Sequence, residues 1–557
     1  MKNIPIGEVL KEYGYITDDQ LQEALAAQKQ DRSKRLGAIL IALGYVTEQQ
    51  LMDALGKRLN LKILTLETFH VDGQAVEKLP KQIALKYTAI AVSQESGRLL
   101  VAINDPLDFY AVEDIRLIAN MPVDICIASK QSILAAIDFY YSEIDARVAA
   151  SKANIAADEE VADLAAQIEV REDDQTPVVR LLNSLLVKGY NAGASDIHIE
   201  PFEEKLSVRM RIDGMLIDYI TLAPNLHPSL LARTKILSGL NIAEKRMPQD
   251  GHFKATIEGI EMNIRVSVIP TIYGEKAVLR FLTTNVTIDH EGQFGMDEDH
   301  YRKVIEMLQN PHGIIYLTGP TGSGKTTTLY MALAYLAKKQ VNISTIEDPV
   351  ERNLVRVNQM QVNNAAGLTF ESGLRALLRQ DPDIIMVGET RDNETASISV
   401  RAAITGHLVL STLHTNDAIS TIVRLHDMGV EPYLLANSLA GIVAQRLVRK
   451  ICPNCKKAYT PDAQERLLCG DVDTLYRGEG CHMCNNTGYR GRIAIHEVVA
   501  VDREIRTMIA RRDPIEAIYR YAAQTLRYRT LRDRMNELVQ QGVTTTEELL
   551  KLTYTVD

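Results

Sequence analysis

No stretch of the 557-residue chain approaches the roughly 18 consecutive apolar residues that a membrane span requires. The N-terminus, Met1-Lys-Asn-Ile-Pro-Ile-Gly-Glu8, lacks the apolar core of a secretory leader. Both absences predict a cytoplasmic protein whose membrane contacts, where it has them, run through partners. An excess of positive charge is also missing. The formal net charge is −10 and the pI near 5.8, which argues against a protein whose main ligand is nucleic acid. Cysteine is scarce: six residues in a long intracellular chain suggest metal ligands or buried thiols before disulfides. The apolar content, 46%, is ordinary and enough to bury real cores. The length predicts about three to five domains.

The most informative stretch is Gly319-Pro320-Thr321-Gly322-Ser323-Gly324-Lys325-Thr326, which fits G-x-x-x-x-G-K-[ST] at every fixed position. A short apolar run, 313–318, precedes it and reads as a buried strand. After it, from Thr327 to Ala337, apolar residues recur at helical spacing. Strand, glycine loop and helix form a phosphate cradle. The glycines allow successive N–H groups to point inward, and the helix start favours an anion. Lys325 would reach the β- and γ-phosphates of ATP, and the Thr326 hydroxyl would hold Mg²⁺.

The rest of the chain divides by pattern. Residues 1–60 repeat with a period of 30: Ile6-Gly7 aligns with Leu36-Gly37, Thr17 with Thr47, and Ala24-Leu25 with Ala54-Leu55. Each copy predicts a helix, a glycine stop, a threonine cap and a second helix. Such a duplicated helical hairpin can simply pack or dock. Residues 61–142 read as a small α/β domain with Cys126 as a buried thiol. Residues 143–175, rich in Ala, Asp and Glu, read as a charged linker. A second α/β domain spans 176–290 and carries Arg209, Arg211, Arg233, Arg265 and Arg280. Lying upstream of a phosphate loop, it could supply an arginine finger, although any one arginine can equally be a solvated surface position.

The P-loop domain is expected over 296–557. In it the strand-like run 342–346 leads into Glu347-Asp-Pro349, and 383–387 leads into Gly388-Glu389. Carboxylates at strand ends beside a phosphate loop hold Mg²⁺ or orient water. His407 and His414 flank a further strand, where either could be a structural hydrogen-bonder or sense the γ-phosphate. Cys452-Pro-Asn-Cys455 and Cys481-His-Met-Cys484 are two C-x-x-C pairs with 25 residues between them. They predict a closed, structural S₄ zinc site in an insertion at 450–490, with Cys469 left out. Buried or redox-active thiols are the alternatives. The tail from about 502 reads as helices.

Several segments together resemble the secretion-type hexameric ATPases, the assembly motors of type IV pili and of type II secretion. They are Ser195-Asp-Ile-His-Ile-Glu-Pro201, Ala243-Glu-Lys-Arg-Met-Pro-Gln-Asp-Gly251, the P-loop and Thr345-Ile-Glu-Asp-Pro-Val-Glu351. Leu378–Asp383, Gly388-Glu-Thr-Arg391, Thr405-Gly-His407, Ser411–Asn416 and Gln445-Arg-Leu447 continue the match. The resemblance implies a RecA-like ATPase core preceded by a smaller α/β domain, an Asp box at Glu347, a variant Walker B at Gly388-Glu389, and a His box at His407 and His414. Its arginine fingers would fall on Arg211 and Arg233. It implies a homohexamer that turns an inner-membrane platform protein with associated cytoplasmic assembly proteins. The tetracysteine insertion resembles that of the assembly motors, which the retraction motors lack.

The N-terminal repeat also resembles a cyclic di-GMP-binding module with two Arg-Leu-Gly-x-x-Leu motifs. The second copy fits, with Arg35, Leu36, Gly37 and Leu40. The first has Pro5-Ile-Gly-Glu-Val-Leu10 without the arginine, which removes a charge-assisted phosphate contact. The sequence therefore predicts a Mg²⁺-dependent ATPase motor assembling a pilus or a secretion pseudopilus. The competing readings are a cyclic-dinucleotide-sensing scaffold with little turnover and a ring translocase acting on nucleic acid.

Overall fold

The computed structural model describes residues 5–30, 36–66, 69, 71–95, 97–141, 144, 176–282, 293–470 and 472–556. Nearly all of the expected linker, and Arg35, lie outside them. The chain divides into two compact units, one of residues 1–281 with 479–488, the other of 282–478 with 489–557.

In the first unit the 30-residue repeat becomes four helices, Ile6–Glu12, Asp18–Gln30, Leu36–Ala42 and Glu48–Leu59. Thr47 caps the fourth through a capping box with Gln50. Thr17 and Gln20 make the equivalent pair of bonds at the second. Gly7 and Gly37 exist for close packing: a Cβ on either would lie 2.5 or 2.7 Å from a methyl of Leu21 or Leu51. A three-stranded sheet follows, β1 (Ala89–Glu95), β2 (Arg98–Ile103) and β3 (Val123–Ile127), in that order. Cys126 is buried beside the Val101 carbonyl, and burial pushes its thiol up to about 12.

The same unit holds a six-stranded antiparallel sheet ordered β6-β5-β4-β9-β8-β7. Its strands are β4 (Ala194–Pro201), β5 (Leu206–Ile212), β6 (Met215–Leu222), β7 (Gln249–Ile257), β8 (Ile260–Thr271) and β9 (Gly274–Leu282). Strand period explains β4. Ile197 and Ile199 enter the core, so Asp196, His198 and Glu200 share the opposite face. There Asp196 meets Arg280 at 2.7 Å, and Glu200 meets Arg209 at 2.6 Å and Lys276 at 2.7 Å. β6 and β7 were not expected from the sequence: β6 is apolar along most of its length and shows no alternation, and β7 carries few apolar residues; both are largely exposed or half-buried.

The second unit is built on a seven-stranded sheet ordered β12-β11-β13-β14-β10-β15-β18. The strands are β10 (Gly313–Thr318), β11 (Ile343–Glu347), β12 (Asn358–Gln361), β13 (Ile384–Val387), β14 (Leu408–Leu413), β15 (Leu439–Ile451) and β18 (Tyr489–Ala500). The first six are parallel and β18 runs antiparallel to β15. β10 is buried along its whole length. Ile314 and Tyr316 feed one core, Ile315 and Leu317 the other, so helices cover both faces. A parallel sheet places ligands at its carboxyl edge, and the phosphate loop starts there, directly after Thr318. Between β15 and β18 lies a small hairpin, β16 (Lys456–Tyr459) with β17 (Leu475–Gly478). The helix 546–556 returns to β15, where Glu548 holds the buried Arg449 guanidinium at 2.7 Å.

Candidate nucleotide and metal sites

The loop 319–324 connects β10 to the helix Lys325–Leu336, so the helix N-terminus points at the loop. Gly324 caps it in the left-handed region, φ 85°. Thr321, Gly322, Thr326 and Thr327 are exposed at the mouth, whereas Ser323 and Lys325 are buried. The Ser323 hydroxyl has no hydrogen-bond partner among the described residues. Lys325 Nζ donates to the Gly319 and Pro320 carbonyls at 2.7 and 3.0 Å. Burial lowers the Lys325 amine to about 8, partly offset by Glu389. A buried hydroxyl without a partner, a desolvated ammonium and a helix start fit a polyphosphate.

The two strand-end carboxylates occupy different environments. Glu347, 2% exposed, accepts from Tyr330 Oη at 2.5 Å, Thr345 Oγ1 at 2.5 Å and Gln359 Nε2 at 3.0 Å. Every donor belongs to the surrounding framework. Tyr330 lies on the phosphate-loop helix, and its oxygen also accepts from the Glu351 N–H at 3.1 Å. Glu389, at the end of β13, pairs with the exposed Arg391, and His414 Nε2 lies 3.7 Å away. The Glu389 carboxylate also acts on Lys325, holding its amine up against the effect of burial.

The histidines separate as well. β10 and β14 pair from Gly313↔Leu408 to Thr318↔Leu413. His414 therefore lies at the phosphate end of β14 and His407 at the other. The His407 ring is taken up by the Ala402 carbonyl at 3.0 Å. Within one chain the structure brings Lys325, Glu389 and His414 together and leaves His407 apart. In the first unit, Arg211 donates to the Gly214 carbonyl at 2.9 Å and stays 3.9 Å from Asp196. Arg233 keeps a buried Nε without a hydrogen-bond partner among the described residues. Arg209 and Arg280 are committed to carboxylates.

Sequence reasoning missed Tyr330, Gln359, Arg391 and Arg446 as neighbours of the site. The motif Gln445-Arg-Leu447 contributes to the family resemblance, but its residue types alone do not say what they touch.

Cys452 and Cys455 follow β15 directly, and Cys481 and Cys484 precede β18. All four are buried, with their Sγ atoms within 4.8 Å of one another. The Cys481 and Cys484 sulfurs are 3.6 Å apart, and the Cys481 and Gly488 N–H groups point at Cys484 Sγ at 3.2 and 3.3 Å. A zinc tetrahedron with bonds of about 2.3 Å needs sulfurs about 3.8 Å apart, so this donor set fits zinc. Cys469 is buried in the second unit's core, outside the group.

Comparison with known proteins agrees with this geometry. A profile described as type II/IV secretion system protein matches residues 171–551, and one described as the MshEN domain matches 59–147. The second match covers the small α/β domain; the helical repeat with its Arg35-to-Leu40 motif lies almost wholly outside it. The type IV pilus assembly ATPase PilB of Myxococcus xanthus is 40% identical over 571 aligned positions, covering 98% of each chain. The type II secretion system ATPase E of Vibrio cholerae is 44% identical over 388 positions, 69% of this chain and 77% of that one. The ATPase DotB of Legionella pneumophila shares the fold, with a TM-score of 0.50 at 22% identity over 70% of this chain and 98% of DotB. No helix among the described residues is long and apolar enough to cross a membrane. With a family profile spanning most of the sequence and relatives of this identity, the chain belongs to the type II/IV secretion ATPase family.

Proposed function

We propose that this protein is a Mg²⁺-dependent, ATP-hydrolysing motor that powers assembly of a type IV pilus. The observation that carries the reading is the cradle at 319–326 with Glu389 beside it. The pilus-assembly relative matches 98% of each chain, against 69% of this chain for the secretion relative, which favours a pilus over a type II pseudopilus. The motor acts as a homohexamer, coupled through an inner-membrane platform protein and cytoplasmic assembly proteins, and works at the cytoplasmic face through those partners. Nucleic acid has no direct part.

The loop amides and Lys325 would hold the ATP phosphates, and the Thr326 hydroxyl with Glu389 would hold the metal. Bound Mg²⁺ would neutralise charge building on the transferred phosphoryl group. Glu389 orients the attacking water when Arg391 releases it, and His414 stands close enough to report on the same position. Glu347 keeps the phosphate-loop helix and the β11–β12 edge in register through Tyr330. Arg211 and Arg233 are the finger candidates, because Arg209 and Arg280 already neutralise partners. The four cysteines would hold a structural zinc where the chain leaves β15 and re-enters β18. Cyclic di-GMP, with Arg35, Leu36, Gly37 and Leu40 as contacts, would bind the N-terminal module and regulate the motor.

Lys325→Ala is expected to cut phosphate release by at least about 100-fold with an unchanged melting temperature; wild-type turnover in that variant contradicts the assignment. Phosphates raise a lysine amine that burial has lowered, so nucleotide binding takes up a proton. Affinity is therefore full below about pH 8 and falls as pH rises through that value. Calorimetry in two buffers of different ionisation enthalpy measures the uptake.

Metal analysis of the full chain is expected to give about one zinc per chain, lost in Cys452→Ser/Cys481→Ser together with thermal stability. A metal-free protein of unchanged stability rejects the zinc site. Titration of cyclic di-GMP into the full chain is expected to saturate, and Arg35→Ala to abolish binding. No heat from the wild type leaves the repeat as a docking element.

A further inference from the structure

The tip of β15 does more than extend the sheet. Ala444 is the register partner of Thr318, the last residue of β10. β10 then gives way to the phosphate loop, while β15 runs on to Ile451. The residues just past Ala444 therefore stand against the loop itself. Gln445 is 2% exposed, and both ends of its amide are used. Its Nε2 donates to the Ser323 carbonyl at 2.8 Å. Its Oε1 accepts from Thr328 Oγ1, on the first turn of the following helix, at 2.8 Å.

A phosphate cradle turns its N–H groups inward, so some of its carbonyls must point the other way, into protein. A carbonyl facing a dry interior needs a donor there. The Gln445 amide is that donor for Ser323. By gripping Thr328 at the same time, it fixes the loop relative to the helix whose N-terminus faces the anion. The fit is close on both sides of the loop. A Cβ at Gly319, φ 142°, would come within 2.3 Å of the Gln445 carbonyl oxygen. A Cβ at Gly324 would come within 2.9 Å of Gln445 Nε2. Two of the loop's glycines are therefore required by its contact with Gln445 as well as by its own turn. The next residue extends the contact sideways: Arg446 Nη2 lies 3.3 Å from the Asn416 carbonyl and side-chain oxygens, in the segment that begins at His414.

We propose that Gln445 is a positioning residue for ATP binding: it holds the Ser323 carbonyl turned away from the phosphates, so that the loop presents its amides in the binding geometry before nucleotide arrives. The proposal rests on the ATPase reading above. It requires a side chain of this length carrying a donor and an acceptor. Met matches the length and supplies neither. Glu reverses the donor and places a negative charge behind the phosphates.

The test uses the full chain and measures KM, kcat, affinity for a fluorescent ATP analogue, and melting temperature. Gln445→Met, which loses both buried hydrogen bonds, is expected to raise KM and the dissociation constant about tenfold, with kcat little changed and any fall in melting temperature accompanied by that shift. Gln445→Glu is expected to raise both further. Thr328→Val removes the same bridge from its other end. It should shift KM in the same direction, and the double variant should be no worse than the poorer single one. If Gln445→Met or Thr328→Val binds the analogue as wild type does, the proposal is overturned. A purely structural role would lower the melting temperature without moving KM, which also overturns it. The ATPase reading fails separately, by a wild-type protein that neither binds the analogue nor hydrolyses ATP.

Discussion

A strand buried on every residue cannot end in open chain without exposing its last amides to an apolar interior. β10 meets that constraint by turning at once into a glycine loop and a helix, so that unpaired N–H groups collect at one point on the sheet's carboxyl edge. The rest of the second unit is arranged around this concentration of donors. β11 and β13 bring carboxylates to the same edge, β14 brings His414, and β15 braces the loop from the other side. Lys325 is desolvated because the loop wraps it, and its lowered pKa follows from the same burial that makes the site dry enough for charge to matter.

The two carboxylates show how burial assigns roles. Both end strands of the same sheet, and by sequence either could hold metal or water. Glu347 is surrounded by donors from Tyr330, Thr345 and Gln359, which leaves little of it to offer a ligand. Glu389 is held by one exposed arginine, a contact that solvent screens and a bound cation could replace. On these contacts the proposed division follows: the chemistry is assigned to the less constrained acid, and the more buried one to keeping helix and strand in register.

Much of this was legible in the chain itself. The phosphate loop, the four cysteines and the 30-residue repeat are local patterns with fixed spacing, which a sequence displays without its fold. The β15–β18 ribbon was not legible. Leu439–Ile451 is buried on both faces, most of its polar residues included, and such a stretch has no period to distinguish strand from helix. β6 escaped for the same lack of a period, and β7 because it carries few apolar residues at all. The division between Glu347 and Glu389, and the part of Gln445, depend on partners such as Gln359 and Ser323, 12 and 122 residues away, which no local pattern encodes. His407 and His414 looked equivalent because a strand's two ends are indistinguishable until its direction in the sheet is known.

The central claim is that Glu389 does the chemistry while Glu347 shapes the site, and paired carboxylate-to-amide substitutions test it most directly. Phosphate release and thermal unfolding would be measured side by side on Glu389→Gln and Glu347→Gln. The account predicts that Glu389→Gln loses turnover at an unchanged melting temperature and still binds ATP. It predicts that Glu347→Gln lowers the melting temperature and retains measurable turnover per folded molecule. A stable Glu347→Gln protein without turnover, beside a Glu389→Gln protein that still hydrolyses ATP, would contradict it.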